Sequence, residues 1–391
     1  MNDIYVICAK RTPFGSFGGA LSELAAPELA AQTIRHILDT TTLPPEVIDE
    51  VIIGQVLQGG AAQAPARQAM RLAGIPDSTA AMTINKVCGS GLKSIMLAAD
   101  GIALGNTRIA LAGGMENMSQ APYALPKARF GQRLGHGELL DLMIHDGLQD
   151  PYSKRHMGDI TEEWITSKGL TRDEQDAFAR RSYERAQAAV TNNTFADELT
   201  AVVIKTRKGE TTVAADEEPF RGAVDKLSDL RPAFSKTGTI TAGNASTIND
   251  GAGIVLLCNA DAAAHHNLTP IARLVAGATN SIHPNLFAEA PVEAIRRCCS
   301  KAGLKIDDIG LFEINEAFSA VPLVAIKELG LDPERVNVHG GAVAIGHPIG
   351  ASGTRLVATL IREMHVRKEK YGLVTLCIGG GEAVAAIFEL V

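Results

Sequence analysis

Residues 89–114 read GSGLKSIMLAADGIALGNTRIALAGG, and residues 350–381 read GASGTRLVATLIREMHVRKEKYGLVTLCIGGG. Both follow one order: a turn of small residues, a helix-patterned stretch, a connector, an apolar strand-like run and a glycine cluster. Upstream, VIDEVIIGQVLQ (47–58) stands to the first stretch as DDIGLFEINEAF (307–318) stands to the second. Likeness of order and spacing on this scale implies a duplicated unit. Two α/β units can look alike by chance, but here the spacing matches as well as the order. Further strand-like runs (4–9, 50–56, 270–279) alternate with helix-like ones (27–38, 292–303), so each half reads as a sheet covered by helices.

The chain of 391 residues is too long for one ordinary core. Between the halves the character changes. Residues 119–150 are punctuated by Pro and Gly and carry Lys127, Arg129 and Arg133, and 171–190 read as a charged amphipathic helix capped by Thr171 and Glu174. This middle is an insertion suited to covering a cleft or building an oligomer interface. Hydrophobic residues make up 46%, and the net charge of −7 argues against a nucleic-acid partner. The six cysteines form no CxxC pair, so the sequence implies a reducing, cytoplasmic setting rather than a disulfide framework. Neither a signal peptide nor an apolar run of the roughly 18 residues a membrane span needs is visible. Walker and dinucleotide fingerprints are missing. His265-His266 and Cys298-Cys299 lack metal-ligand spacing.

Four positions invite chemistry. Cys88, in NKVCGSGLKSI, sits between a strand-like run and a helix, where the macrodipole and unpaired N–H groups favour a thiolate; a small buried cysteine below a core helix fits equally well. Cys377 precedes Gly379-Gly380-Gly381, whose N–H groups can converge as an oxyanion hole or simply turn the chain. His347, in HGGAVAIGHPIGASG (339–353), precedes a helix whose dipole would keep it neutral. Asn315 and Glu316 end a strand-like run, where Asn315 could hold a water or orient the histidine. Four such residues in glycine-rich strand ends and helix starts are hard to explain as accidents.

Laid out in order, NKVCGSGLKS, GGMENMS, LRPAFSKTGTITAGNAS, NEAF, GHPIGASG and CIGGG resemble the thiolase family over essentially the whole chain, and within it the biosynthetic acetyl-CoA acetyltransferases. The resemblance implies a five-layered αβαβα thiolase fold of two similar halves with an inserted loop domain. The halves would be 1–118 continued at 246–268, and 269–391, with the insertion at 119–245 holding tetramerisation and CoA-binding segments. It implies reversible ping-pong condensation of two acetyl-CoA to acetoacetyl-CoA and CoA, in fatty acid metabolism, by a cytoplasmic homotetramer. Cys88 would be the acylated nucleophile and Cys377 the acid/base. His347 would activate Cys88 and, with a water on Asn315, stabilise the enolate. The N–H groups of Cys88 and Gly379 would form a second oxyanion hole. Arg221, Ser228 and Ser246 match positions that contact CoA, and His156, Met157 and Phe318 match a short-chain acyl pocket. No cofactor or metal is implied, since CoA and acyl-CoA are substrates; no nucleic acid or membrane partner is implied either. The family commonly follows CIGGG with Met or Gln and then Gly, whereas Glu382 and Ala383 stand here. The alternatives are a degradative 3-ketoacyl-CoA thiolase of broader chain length, a β-ketoacyl synthase, a non-catalytic acyl-CoA or lipid-binding relative, and a cysteine hydrolase. Retention of Cys88, His347 and Cys377 together argues against the last three.

Overall fold

The computed structural model describes residues 3–207, 209–222 and 224–391. Its main element is a ten-stranded sheet. From one edge the strands are Leu311–Ile314, Tyr371–Ile378, Glu382–Leu390, Ala272–Ser281, Ile4–Arg11, Asn249–Asn259, Ile109–Asn117, Glu50–Gly54 and Ala80–Ile84, with Gly15–Ser16 beside Asn249–Asn259. At the middle seam only Tyr5 and Val6 pair, with Arg273 and Ala272. Either side of it the same pattern recurs. Glu50–Gly54 runs parallel to Ile109–Asn117, followed by two antiparallel pairings out to Ile4–Arg11. Leu311–Ile314 runs parallel to Tyr371–Ile378, followed by two antiparallel pairings out to Ala272–Ser281. Even the outer strand Ala80–Ile84 has a vestigial counterpart in the parallel bridge from Phe312 to Val336. The internal likeness of the sequence is therefore a likeness of structure.

Strand periodicity sets the layering. Val51 and Ile53 face an outer core with the helix Ala26–Thr41, while Ile52 faces the centre. In the other half Leu373 and Cys377 face the helices Ala290–Ala302 and Ala320–Leu329, while Val374 and Leu376 face the centre. The central core joins both half-sheets to two helices, Ser90–Ala103 and Ser352–Arg367, which supply Leu92, Ile95, Leu356 and Leu360. The result is an αβαβα stack. The central helices meet at their first turns, where a Cβ on Gly353 would collide with the Leu92 amide nitrogen and one on Gly91 would crowd the Gly350 carbonyl at 3.0 Å. Small residues here let two helix starts, one after Cys88 and one after His347, approach backbone to backbone.

The stretch between the two likenesses is held to the strand Ile4–Arg11 by buried ion pairs. Buried Arg11 pairs with Glu198 at 2.6 Å and with both oxygens of Asp216 at 2.7 and 2.9 Å. Thr171 caps the helix Arg172–Thr191, with Glu174 completing the capping box as the sequence predicts. A short hairpin pairs Tyr123–Ala124 with Leu140–Asp141 and projects Phe130 and Leu134, which are 86% and 100% exposed. Among the described residues no helix is long and apolar enough to cross a membrane.

Candidate active site

Cys88 sits on a tight elbow between the strand Ala80–Ile84 and the helix Ser90–Ala103. The elbow places Val87 at φ +45°, a conformation that costs a β-branched residue of order 1–3 kcal/mol. Local hydrogen bonds hold it there. Asn85 Oδ1 accepts the Val87 N–H at 2.9 Å, and Ser90 Oγ accepts the Lys86 N–H at 2.8 Å while donating to the Val87 carbonyl at 2.7 Å.

The sequence expectation of a thiolate favoured by the helix dipole meets an opposing effect in the structure. Burial pushes the Cys88 thiol up to about 11, against the N–H groups of Gly379 and Cys88 itself, which hold it down. Desolvation outweighs a few aligned dipoles. Cys88 therefore rests as a thiol.

His347 lines the same cavity as Cys88. It is buried, and burial, followed by the charge of Arg355, brings its pKa down to about 3. The sequence gives the direction; desolvation is the larger cause. Its Nδ1 lies 2.6 Å from Ser352 Oγ, which itself donates to the Pro348 carbonyl at 2.9 Å. A hydroxyl that has spent its proton on Pro348 can only accept, so the histidine carries its proton on Nδ1 and leaves Nε2 free. Asn315 Nδ2 lies 3.4 Å from Nε2, and the buried Asn315 Oδ1 meets no donor among the described residues.

The loop that carries His347 is pinned at both ends. Asn249 Oδ1 accepts the His347 N–H at 2.9 Å. Glu116 Oε2 accepts the N–H groups of Gly350 and Val56 at 2.9 and 3.0 Å, and its Oε1 accepts that of Leu57 at 3.1 Å. Burial raises Glu116 to about 7 in spite of these three donors.

Cys377 ends the strand Tyr371–Ile378, is buried, and is held well above the ordinary thiol range by burial first and by the neighbouring Cys88 second. Cys88, His347, Cys377 and Gly379 line one cavity of about 260 Å³. Its apolar lining includes Leu148, Met157, Phe234, Phe287 and Phe318. His156 caps the helix Met157–Lys168, accepts the Gly158 N–H at 3.0 Å on Nδ1, and stacks on Phe234 with ring centroids 4.9 Å apart. Phe234 meets Phe318 edge-on at 6.4 Å. Gly158 is required there, because any Cβ would enter the Phe234 ring.

Ser246, His156, Met157 and Phe318 line the same cavity, and Ser246 Oγ bonds the Ala317 carbonyl at 3.1 Å. Arg221 and Ser228 do not line it; both are exposed. Glu382 points away from Cys377 and pairs with Lys86 at 2.5 Å. Sequence reading missed Ser352, Asn249, Glu116 and Phe234. Of these, Glu116, Phe234 and Ser352 lie inside motifs already noticed (GGMENMS, LRPAFSK, GHPIGASG), where position in a motif was the available signal.

Two family models match, the thiolase N-terminal domain over residues 4–261 and the thiolase C-terminal domain over 268–390. The chain is 49% identical over 387 residues to an acetyl-CoA acetyltransferase of Pseudomonas aeruginosa, covering 98% of each. It is 47% identical to a probable acetyl-CoA acyltransferase of Staphylococcus aureus, covering 99% of each. Among solved structures, a Bacillus anthracis acetyl-CoA acetyltransferase superposes with TM-score 0.97 at 39% identity, covering 100% of this chain and 99% of that one. The human mitochondrial 3-ketoacyl-CoA thiolase superposes with TM-score 0.96 at 39% identity and the same coverage.

Proposed function

Because this chain belongs to the thiolase family and is an acyltransferase, we propose that it is an acetyl-CoA C-acetyltransferase condensing two acetyl-CoA into acetoacetyl-CoA and CoA, reversibly, through an acetyl-Cys88 intermediate. In the first half-reaction His347 Nε2 takes the Cys88 proton as the sulfur attacks the acetyl carbonyl. The bond to the CoA sulfur breaks, and Cys377 protonates the departing thiolate. Cys377, now ionised, removes the Cα proton of the second acetyl-CoA. The carbanion attacks acetyl-Cys88, a C–C bond forms, and the released Cys88 thiolate recovers its proton from His347. Backbone N–H groups of Cys88 and Gly379 face the thioester oxygen, where charge develops. The unpartnered Oδ1 of Asn315 supports a water held against the second oxyanion.

The observation that carries this reading is the convergence of two thiols and a neutral histidine on one small cavity. A hydrolase would have no use for the second sulfur. The enclosing Met157 and Phe318 favour a short acyl chain. Exposed Arg221 and Ser228 suit the nucleotide end of CoA, which must extend outward from the cavity. The division into 1–118 with 246–268, 119–245 and 269–391, the tetramer built on the 119–150 loop, and a cytoplasmic setting in which all six cysteines stay free thiols belong to the same proposal. The degradative reading, for which the likeness to the human mitochondrial enzyme speaks, is separated by substrate length. Purified protein given acetyl-CoA should release CoA and form acetoacetyl-CoA, and should cleave acetoacetyl-CoA far faster than an eight-carbon 3-ketoacyl-CoA. Each excluded methylene is worth about 1–3 kcal/mol of discrimination. Equal kcat/KM for both lengths would transfer the chain to the degradative class.

A further inference from the structure

Glu382, the residue that departs from the family's pattern after CIGGG, has a defined partner. Its Oε2 meets Lys86 Nζ at 2.5 Å, and its Oε1 accepts from Ser281 Oγ at 3.1 Å. The side chains are 21% (Lys86) and 33% (Glu382) exposed, and the pair spans 296 residues of sequence. Lys86 stands two residues before Cys88, and Glu382 three after Gly379. Between them lies the contact that defines the reacting centre, where the Gly379 N–H meets the Cys88 sulfur.

Both segments need holding. The elbow carries Val87 in a strained conformation, and the turn carries Gly380 and Gly381 at φ +92° and +88° with no side chains to pack. Apolar contact brings them together, since Gly89 sits directly against Ile378 and Val384. Such contact does not fix a slide along the interface, whereas an ion pair oriented by a third hydroxyl does.

We propose that Lys86 and Glu382 form a positioning clamp that locks the Cys88 elbow to the Gly379 turn and fixes the spacing of the two N–H donors that face the thioester oxygen. The inference rests on the thiolase-type roles of Cys88 and Gly379. Neither clamp residue touches the reacting atoms; both act through the backbone between them.

Lys86→Met and Glu382→Gln should each lower kcat for condensation about three- to fivefold, the range of a partly screened pair, with KM for acetyl-CoA within twofold. The double variant should be no slower than either single one. The exchanged pair Lys86→Glu with Glu382→Lys should recover most of the rate, because the attraction is restored with its sign reversed. Losses that multiply in the double variant, or an unchanged kcat in both single variants, would overturn the clamp. Hydrogen exchange supplies a readout independent of turnover. The peptide spanning 376–384 should exchange faster in each single variant than in wild type, and identical exchange would also overturn it. If wild type shows no acetyl adduct on Cys88, the reaction assigned above fails, while the exchange comparison still decides the clamp.

Discussion

Removing the Ser352 hydroxyl should slow acylation of Cys88 without touching a reacting atom. In the folded protein Ser352 Oγ accepts from His347 Nδ1 at 2.6 Å and donates to the Pro348 carbonyl at 2.9 Å, and Ser352 and His347 are only 1% and 5% exposed. Ser352→Ala therefore orphans a buried N–H. An unsatisfied buried donor costs about 1–3 kcal/mol. The ring can avoid that cost by moving its proton to Nε2, the atom that the proposed mechanism needs bare to take the Cys88 proton. A change of tautomer, or loss of this hydrogen bond from the forming imidazolium, raises the barrier to acylation by about that amount, which corresponds to roughly 5- to 150-fold in rate. Rapid-quench mixing with acetyl-CoA, with acetyl-Cys88 counted by mass spectrometry, measures the step directly. The final adduct yield should be unchanged and only its rate reduced. Wild-type acylation kinetics in a variant with a lowered melting temperature would show that the hydrogen bond is structural and that the tautomer is set elsewhere.

The two cysteines should separate by half-reaction: Cys88→Ala forms no acetyl adduct, whereas Cys377→Ala still acquires it but condenses about 10²–10⁴-fold more slowly, read by adduct mass and acetoacetyl-CoA formation. An adduct on Cys377 would reverse the roles. With His347 at about 3 and Cys88 at about 11, the wild-type acylation rate should be flat from pH 5 to 9, and an inflection near 6.5 would contradict the buried neutral histidine. A histidine whose folded pKa lies below its unfolded value of about 6.5 contributes no pH-dependent penalty above 6.5 and lowers stability as pH falls beneath it, because the unfolded chain binds the proton first. His347→Asn should accordingly gain in melting temperature relative to wild type between pH 7 and 5, and a constant difference would count against it. Phe130→Glu with Leu134→Glu, both fully presented to solvent in the protomer, should leave the melting behaviour of the fold intact and reduce the assembly seen by light scattering; an unchanged mass would move the tetramer contact elsewhere.

Much of the fold is legible because duplication states it twice. The helices at 90–105 and 351–364 and the strands at 50–56 and 371–380 were readable from periodicity confirmed by their copies. Asn249–Asn259 and Glu382–Leu390 are harder: buried on both faces, they show no alternation, and glycine or alanine fills positions where a strand usually advertises itself. The reacting residues stand out because a cysteine or histidine among glycines is conspicuous. Their supports do not. Ser352 reads as a helix-start serine, Asn249 as a turn residue and Glu116 as an exposed charge until the fold buries them beside His347. The sign of the Cys88 shift was likewise out of reach, since a helix start is a local pattern and desolvation depends on what closes over it.

The crossing of the two central helices at Gly91 and Gly353 leaves neither half self-sufficient. Ser90 and Ser352 brace the two helix starts alike, each accepting a hydrogen bond from the loop before it and donating one to a carbonyl three or four residues back. Yet one start presents sulfur and the other imidazole. Turnover thus becomes a gauge of apposition between the two copies: in rising denaturant it should vanish as soon as they part. A nick in the connector between them should be harmless for as long as the glycine contact keeps the fragments seated.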